Sequence, residues 1–323
     1  MQRYFGSTAI DGTMNASQVA LAAIRKHFVA MLDNETGTLE GSDPERLHDM
    51  RVATRRMRAA FGVFRPWLSP NVAAFASDLK QVGGALGLVR DFDVQLEHQR
   101  EWARRLENEQ ALEPWFALLE ASRLENRQRL VAELQSEGYA RFVKEFGEAL
   151  LHAEPVDQAP NILEAAPIFV KKRWKKLKSA LASFDSLTTD AEMHEARILA
   201  KRLRYSIEFV APVYGPAAKE TSATLAKLQD VLGLHQDCVV AIQTIRESLD
   251  KTGGSLPGST SFELGRLACL ADQIRQGQRA LVRPTYEAVR RGPWRELKPR
   301  LVAPSADAAT PASIDPSPHG PQT

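Results

Sequence analysis

The phrase "HDMRVATRRMRA" beginning at His48 returns as "HEARILAKRLRY" at His194, an offset of 146 residues. At that offset Arg51 falls on Arg197, Arg55 on Lys201, Arg56 on Arg202 and Arg58 on Arg204. The register continues without a gap. Leu79, Val82, Leu86, Gly87, Leu88 and Asp91 land on Leu225, Leu228, Leu232, Gly233, Leu234 and Asp237, and upstream Arg25, Lys26 and Phe28 land on Lys171, Lys172 and Trp174. A register shared over so many positions points to a fold built from two like units.

Each unit reads as helices. In "VALAAIRKHFVAML" apolar residues recur at three- and four-residue spacing, strong helix formers fill the motif segments, and no alternating β-branched runs interrupt them. Breaks fall at "GTLEGSDPE", "RPWLSPN", "EPVDQAPN", "DSLTTD", "APVYGP" and "KTGGSLPGSTS", where the turn chemistry is right. Asp43 before Pro44 fits an N-cap and first helical position, and Asp190 is placed to cap the second motif helix. The expected fold is all-α, with helical-bundle halves at 15–155 and 160–302 related by pseudo-two-fold symmetry around a basic groove. Residues 1–14 read as a flexible N-terminus. Residues 303–323 are rich in proline and hold no Phe, Trp, Tyr, Lys or Arg, which predicts a disordered tail.

Charge makes the repeated phrase more telling. Lys and Arg number 42 against 40 acidic residues, so no global field exists and any anion site must come from local segregation. At 100° per residue, with His48 at zero, Arg51, Arg55 and Arg58 lie at about 300°, 340° and 280°. Met50, Ala53, Met57, Ala60, Phe61 and Phe64 fill the opposite side. Each motif helix therefore docks by an apolar face and presents a cation ladder, with Arg56, and Arg202 in the second copy, on the flank. The ladders are His48, Arg51, Arg55 and Arg58, then His194, Arg197, Lys201 and Arg204. Neighbouring guanidiniums on one stripe repel by roughly a few tenths of a kcal/mol per pair. Either acidic neighbours offset that cost or an anion does, and duplication of the whole ladder favours an anion held by bidentate forks.

Secondary candidates follow from the same register. "KKRWKKLK" at 171–178 puts Lys171, Lys175 and Lys178 on one face, and Lys171, Lys172 and Lys175 form a candidate wall of the groove. Arg25 and Lys26 are their counterparts. Lys80 and Lys227 precede the Leu-Gly turns. Gly87 and Gly233 read as C-caps or close-packing points, Asp91 and Asp237 as N-caps or as partners of motif arginines, and Arg275, Arg279 and Arg283 as surface charge. A metal role for His48 or His194 is disfavoured by the surrounding cations and by the lack of a second ligand at metal spacing. No phosphate loop, nucleophile elbow or zinc-protease helix occurs, so the sequence offers binding chemistry without catalytic residues or a cofactor. Cys238 and Cys269 lack redox or metal spacing, and no signal-like or spanning segment is present; a cytoplasmic protein is expected.

At these residues the sequence resembles the CHAD family, the conserved histidine α-helical domains. "HDMRVATRRMR", "HEARILAKRLRYSIEF", "LGLVRDFDV" and "LQDVLGLHQD" fit its repeated signature, and the likeness covers about residues 15 to 300. The resemblance implies two helical bundles about a basic groove that binds inorganic polyphosphate. It carries the family's basic residues onto His48, Arg51, Arg55, Arg56, Arg58, His194, Arg197, Lys201, Arg202 and Arg204. Many relatives also carry a CYTH triphosphate-tunnel domain marked by E-x-E-x-K. This sequence comes no nearer than "ENEQA" at 107–111, so a stand-alone member is expected. Association with polyphosphate or polyhydroxyalkanoate granules, known among relatives, would make the chain a scaffold. Two alternatives stand beside this reading. A general polyanion or single-stranded nucleic-acid binder would use the same groove; for nucleic acid, aromatics should be interleaved for stacking, and only Tyr205 adjoins a ladder. A phosphohydrolase or phosphohistidine carrier should cluster carboxylates around a metal.

Overall fold

Asp43 and Pro44 open the first motif helix as their chemistry predicts. The Asp43 side chain accepts from the Glu45 amide at 2.9 Å, and Pro44 occupies the first turn, where its missing N–H costs nothing. In the computed structural model, which describes residues 8–182, 184–185, 187–252 and 256–302, this helix is the third of twelve among the described residues. They are α1 (Ala16–Asp33), α2 (Glu35–Glu40), α3 (Pro44–Phe64), α4 (Pro70–Ala73), α5 (Ala76–Ala103), α6 (Glu113–Leu134), α7 (Glu137–Leu151), α8 (Ile162–Ala182), α9 (Asp190–Tyr214), α10 (Pro216–Thr252), α11 (Gly258–Arg291) and α12 (Pro293–Arg300). No strand occurs among the described residues, so the fold is all-α. The tail expected over 303–323 lies outside the described residues, as do residues 1–7.

Several local expectations need correction. The second motif helix, α9, is capped by Thr189, which forms a reciprocal capping box with Glu192; Asp190 stands one residue further in. Asp190 instead pairs with Arg275 at 2.7 Å and lies 3.3 Å from His235. No Leu-Gly turns exist near Lys80 or Lys227. Gly87 and Gly233 sit inside the long helices α5 and α10, so they are not C-caps, and Asp91 and Asp237 are not N-caps. Nor are Arg275, Arg279 and Arg283 idle surface charge. Arg279 donates to the Asp185 and Thr188 carbonyls and Arg283 to that of Phe184, so this face of α11 grips the segment leading into α9.

The offset of 146 also organises contacts that lie outside the motifs. Asn15 and Asn161 form an antiparallel bridge, flanked by Ala16 N–H donating to the Pro160 carbonyl and Ile162 N–H donating to the Met14 carbonyl, both at 2.9 Å. Each donor and acceptor is the other's counterpart at that offset, so the pairing is locally two-fold. Each asparagine also stands at a helix start: Asn15 accepts from Gln18 N–H ahead of α1, and Asn161 accepts from Leu163 N–H at the head of α8.

The apolar faces of α1, α3, α8 and α9 merge into one core. Phe64 at the end of α3 is fully buried against Phe169 of α8 and Phe209 of α9, with ring centroids 5.7 and 5.6 Å away. A second core joins α5 and α6 to α10 and α11 around Trp115, Leu119, Cys238, Ile245 and Leu264. A buried polar chain crosses it. Trp115 Nε1 donates to Gln99 Oε1, Gln99 Nε2 donates to Gln95 Oε1, and Gln95 Nε2 donates to the Asp237 carbonyl. Such a chain is costly to break because each member would be left buried and unpaired. Because Phe64 joins elements far apart in sequence, Phe64→Ala is expected to cost about 3–5 kcal/mol in urea unfolding, whereas Phe262→Ala, at a 67% exposed position, stays near zero.

Candidate functional site

The apolar side of α3 buries Met50, Ala53, Met57 and Ala60, which leaves the ladder side facing α9 and α5. On α9 the buried set is Met193, Ala196, Leu199, Ala200 and Leu203, so its ladder turns the same way. The two ladders meet. Burial pushes the Lys201 amine down to about 8, and Arg197 on its own helix and Arg55, Arg51 and Arg58 on α3 press it further in the same direction. Arg55 is likewise depressed, first by burial and then by Arg51, Arg204 and Arg56. Arg51, Arg55, Arg58, Arg197, Lys201 and Arg204 thus form one cluster drawn from both helices.

Two glycines at equivalent positions lie beside arginines of the neighbouring helices. A Cβ on Gly87 would lie 3.9 Å from Arg51 Nε, and one on Gly233 would lie 3.8 Å from Arg197 Nε, at positions 146 apart. Each faces its arginine at ordinary contact distance, where an alanine would also fit, so neither is a close-packing point. The carboxylate four residues on completes each seat. Asp91 accepts from Arg51 at 2.9 Å. Asp237, raised by burial, is opposed in that shift by His98, Arg197 and Arg51 and reinforced by Asp91. His98 Nδ1 lies 3.6 Å from Asp237 and its ring stacks on Trp102. His98 is a neighbour that the motif pattern alone did not reveal.

The remaining candidates separate by location. His48 is half-buried with its Nδ1 inaccessible and without a hydrogen-bond partner among the described residues, whereas His194 is exposed and its Nδ1 lies 2.9 Å from Gln236 Oε1. Arg56, on the flank of the ladder, lines a cavity of about 690 Å³ between α1, α3 and α9, where it stands 3.6 Å from Glu208. His27 lines the same cavity and is pushed down to about 4 by burial, then by Arg56 and Lys26. Arg202 is exposed on the flank of α9, beside Arg173. Arg25 is occupied elsewhere, donating to the Leu150 and Ala153 carbonyls at the end of α7. Lys26, Lys80, Lys171, Lys172, Lys175 and Lys227 are all exposed, and none is among the charges that press on Lys201 or Arg55.

Glu208 was not singled out by the motif, although its place four residues after Arg204 marks a helical ion pair. Its Oε1 accepts from Arg204 at 2.9 Å and from Ser222 Oγ at 3.2 Å. Three carboxylates therefore stand against six cations, and the Nε atoms of Arg55 and Arg204 are buried without a hydrogen-bond partner among the described residues. Those Nε atoms are out of a ligand's reach, but guanidiniums in a partly dry setting can grip an oxyanion through two parallel hydrogen bonds from their accessible N–H groups. Tyr205 is buried at 3% exposure, with Arg204 and Arg55 carbons 5.1 and 5.8 Å from its ring centroid, so cations cover its face. Among the described residues no three His, Cys, Asp or Glu side chains gather as a metal would need, and no helix is long and apolar enough to cross a membrane.

Known proteins share this arrangement of helices. The solved CHAD domain from the plant Ricinus communis is 26% identical, with a TM-score of 0.67 over 85% of this chain and 95% of that one. PptA from Streptomyces chartreusis, at 16% identity, shares the fold with a TM-score of 0.69 over 85% of this chain and 100% of that one. Two uncharacterized proteins from Mycobacterium tuberculosis strains are each 28% identical over 268 residues, which is 76% of this chain and 49% of the relative. The chain thus spans about half the length of the curated relatives it matches. The CHAD domain profile matches residues 22–246, a stretch that includes both motif helices, and on that match the chain belongs to the CHAD domain family.

Proposed function

We propose that the cluster between α3 and α9 binds inorganic polyphosphate and holds it without chemical turnover, which gives the chain a scaffold's role. The carrying observation is the convergence of six cations from two helices around Lys201, whose amine is already pushed down to about 8. Such a cluster is costly alone and is relieved by a dense run of phosphate charge. Some members of the family bind polyphosphate, which supports the reading. The buried ring of Tyr205 favours a base-free polyanion over single-stranded nucleic acid, because a ring covered by guanidiniums offers no face for base stacking. Glu208, tied to Arg204 and Ser222, is engaged in holding the cluster rather than free to activate water.

Replacement of Arg51 and Arg197 together by Glu is expected to abolish polyphosphate binding in a fluorescence competition assay while circular dichroism shows unchanged helicity; retained affinity would remove the cluster from the mechanism. For the wild-type protein, log K against log salt should fall with a slope of about −4, near −0.7 for each of six neutralised phosphates on a flexible strand. A slope near zero is the contrary result. In that assay polyphosphate should outcompete single-stranded DNA of equal charge.

The pH dependence follows from Lys201. Its amine is already losing its proton near pH 8 in the free protein, and a bound polyanion favours the protonated form. Affinity should therefore weaken as pH rises from about 7 to 9, by up to about tenfold per pH unit, and Lys201→Arg should flatten that profile. Stability runs the other way. A lysine depressed below its unfolded value destabilises the fold while charged, and the penalty fades as pH rises past about 8. Lys201→Met should then raise the melting temperature at pH 7 while weakening binding.

A further inference from the structure

The two ends of the cation cluster are not alike. On the first side Arg56 faces Glu208 at 3.6 Å, and the neighbouring His27 is held neutral. The counterpart of Glu208 at the offset of 146 is Gly62, which has no side chain to offer. Arg202, the counterpart of Arg56, therefore meets no carboxylate in an ion pair among the described residues. It lies within electrostatic reach of Arg173 on α8, the counterpart of His27, and Arg173 donates to the Gly62 carbonyl at 3.2 Å. Where one side of the cluster is closed by an acid and a neutral imidazole, the other continues in two more cations.

Beyond Arg173 the charge does not stop. The core side of α8 is marked by Val170, Trp174, Leu177 and Leu181. With Lys171 at zero and about 100° per residue, Arg173 lies at about 200°, at the edge of that core side. Lys176 follows at about 140°, Lys172 at about 100° and Lys175 at about 40°, all exposed and without an ion pair among the described residues. The matching positions on α1 are Lys26, Val29 and Ala30, so the first half carries no such face. Ammonium groups on long stems are suited to following a flexible chain of charge without fixing its register.

Resting on the reading of the cluster as a polyphosphate site, we propose that a bound chain leaves it in one direction only, over Arg202 and Arg173 on to the lysine face of α8. The cluster holds a short segment with half-buried arginines. The α8 face collects the length beyond it, so this second surface makes the protein prefer long polyphosphate to short.

The test compares the wild-type chain with a Lys172→Gln, Lys175→Gln, Lys176→Gln variant. A control with Lys144→Gln, Lys219→Gln, Lys251→Gln removes the same charge from exposed positions off this face. Each is titrated with polyphosphate of about ten and of about a hundred units across a salt series, with slopes read as phosphates neutralised. The α8 variant should lose about tenfold or more in affinity for the long chain, with a slope shallower by about 2, and should bind the short chain within about twofold of wild type. The control should match wild type for both. Equal losses in the variant and the control would overturn the proposal, as would equal losses for short and long chains in the variant. Failure of the wild-type protein to bind either length would instead overturn the reading of the cluster itself.

Discussion

Six cations meet where α3 and α9 face each other, and the burial of Lys201 and Arg55 removes much of the water that would screen their repulsion. At a few ångströms and reduced dielectric such charges oppose each other by on the order of kcal/mol per pair. The helices that carry them stay together because their other faces are committed to a shared apolar core. Phe64, Phe169 and Phe209 lock the end of α3 against α8 and α9, so the charge cannot disperse without opening that core. The site is a strained arrangement maintained by packing, which is how a protein keeps a binding surface preorganised for an anion.

The carboxylates near the cluster limit that strain without cancelling it. Asp91 seats Arg51, Glu208 seats Arg204, and Asp237 sits among Arg197, Arg51 and His98. Asp237 is in turn tied to the second core, because its carbonyl ends the chain of hydrogen bonds from Trp115 through Gln99 and Gln95. The position of the charge cluster thus depends on a buried network more than one helix away. Local salt bridges at partly exposed positions contribute little by themselves. Their value here is to orient guanidiniums.

Much of this was legible in the residues. Apolar positions at helical spacing fixed which faces of α3 and α9 turn inward, and the offset of 146 placed both ladders on matching helices. The offset also found Gly87 and Gly233, though that each lies beside an equivalent arginine needed three-dimensional contact to see. Short-range periodicity could not reveal that Arg25 spends its donors on the Leu150 and Ala153 carbonyls, or that Arg279 grips the segment before α9; those partners lie far away in sequence. Asp190 was misplaced as a cap because Thr189 and Glu192 form the better reciprocal pair one residue earlier. The asymmetry between Glu208 and Gly62 was present in the sequence, but it acquires meaning only once Arg56 is seen against Glu208 and Arg202 beside Arg173.

The paired asparagines at the heads of α1 and α8 bear on how such a chain comes together in time. The bridge from Asn15 to Asn161 closes a loop that contains the entire first half, and its hydrogen bonds cannot form until residue 162 has been made. On a ribosome α1 can pack against α3 as soon as that helix is made, but the bridge at its start waits for the head of α8. Contacts of such long separation are entropically late events. The pairing thereby acts as a late clasp between the segments that open α1 and α8, joining them at positions 146 apart.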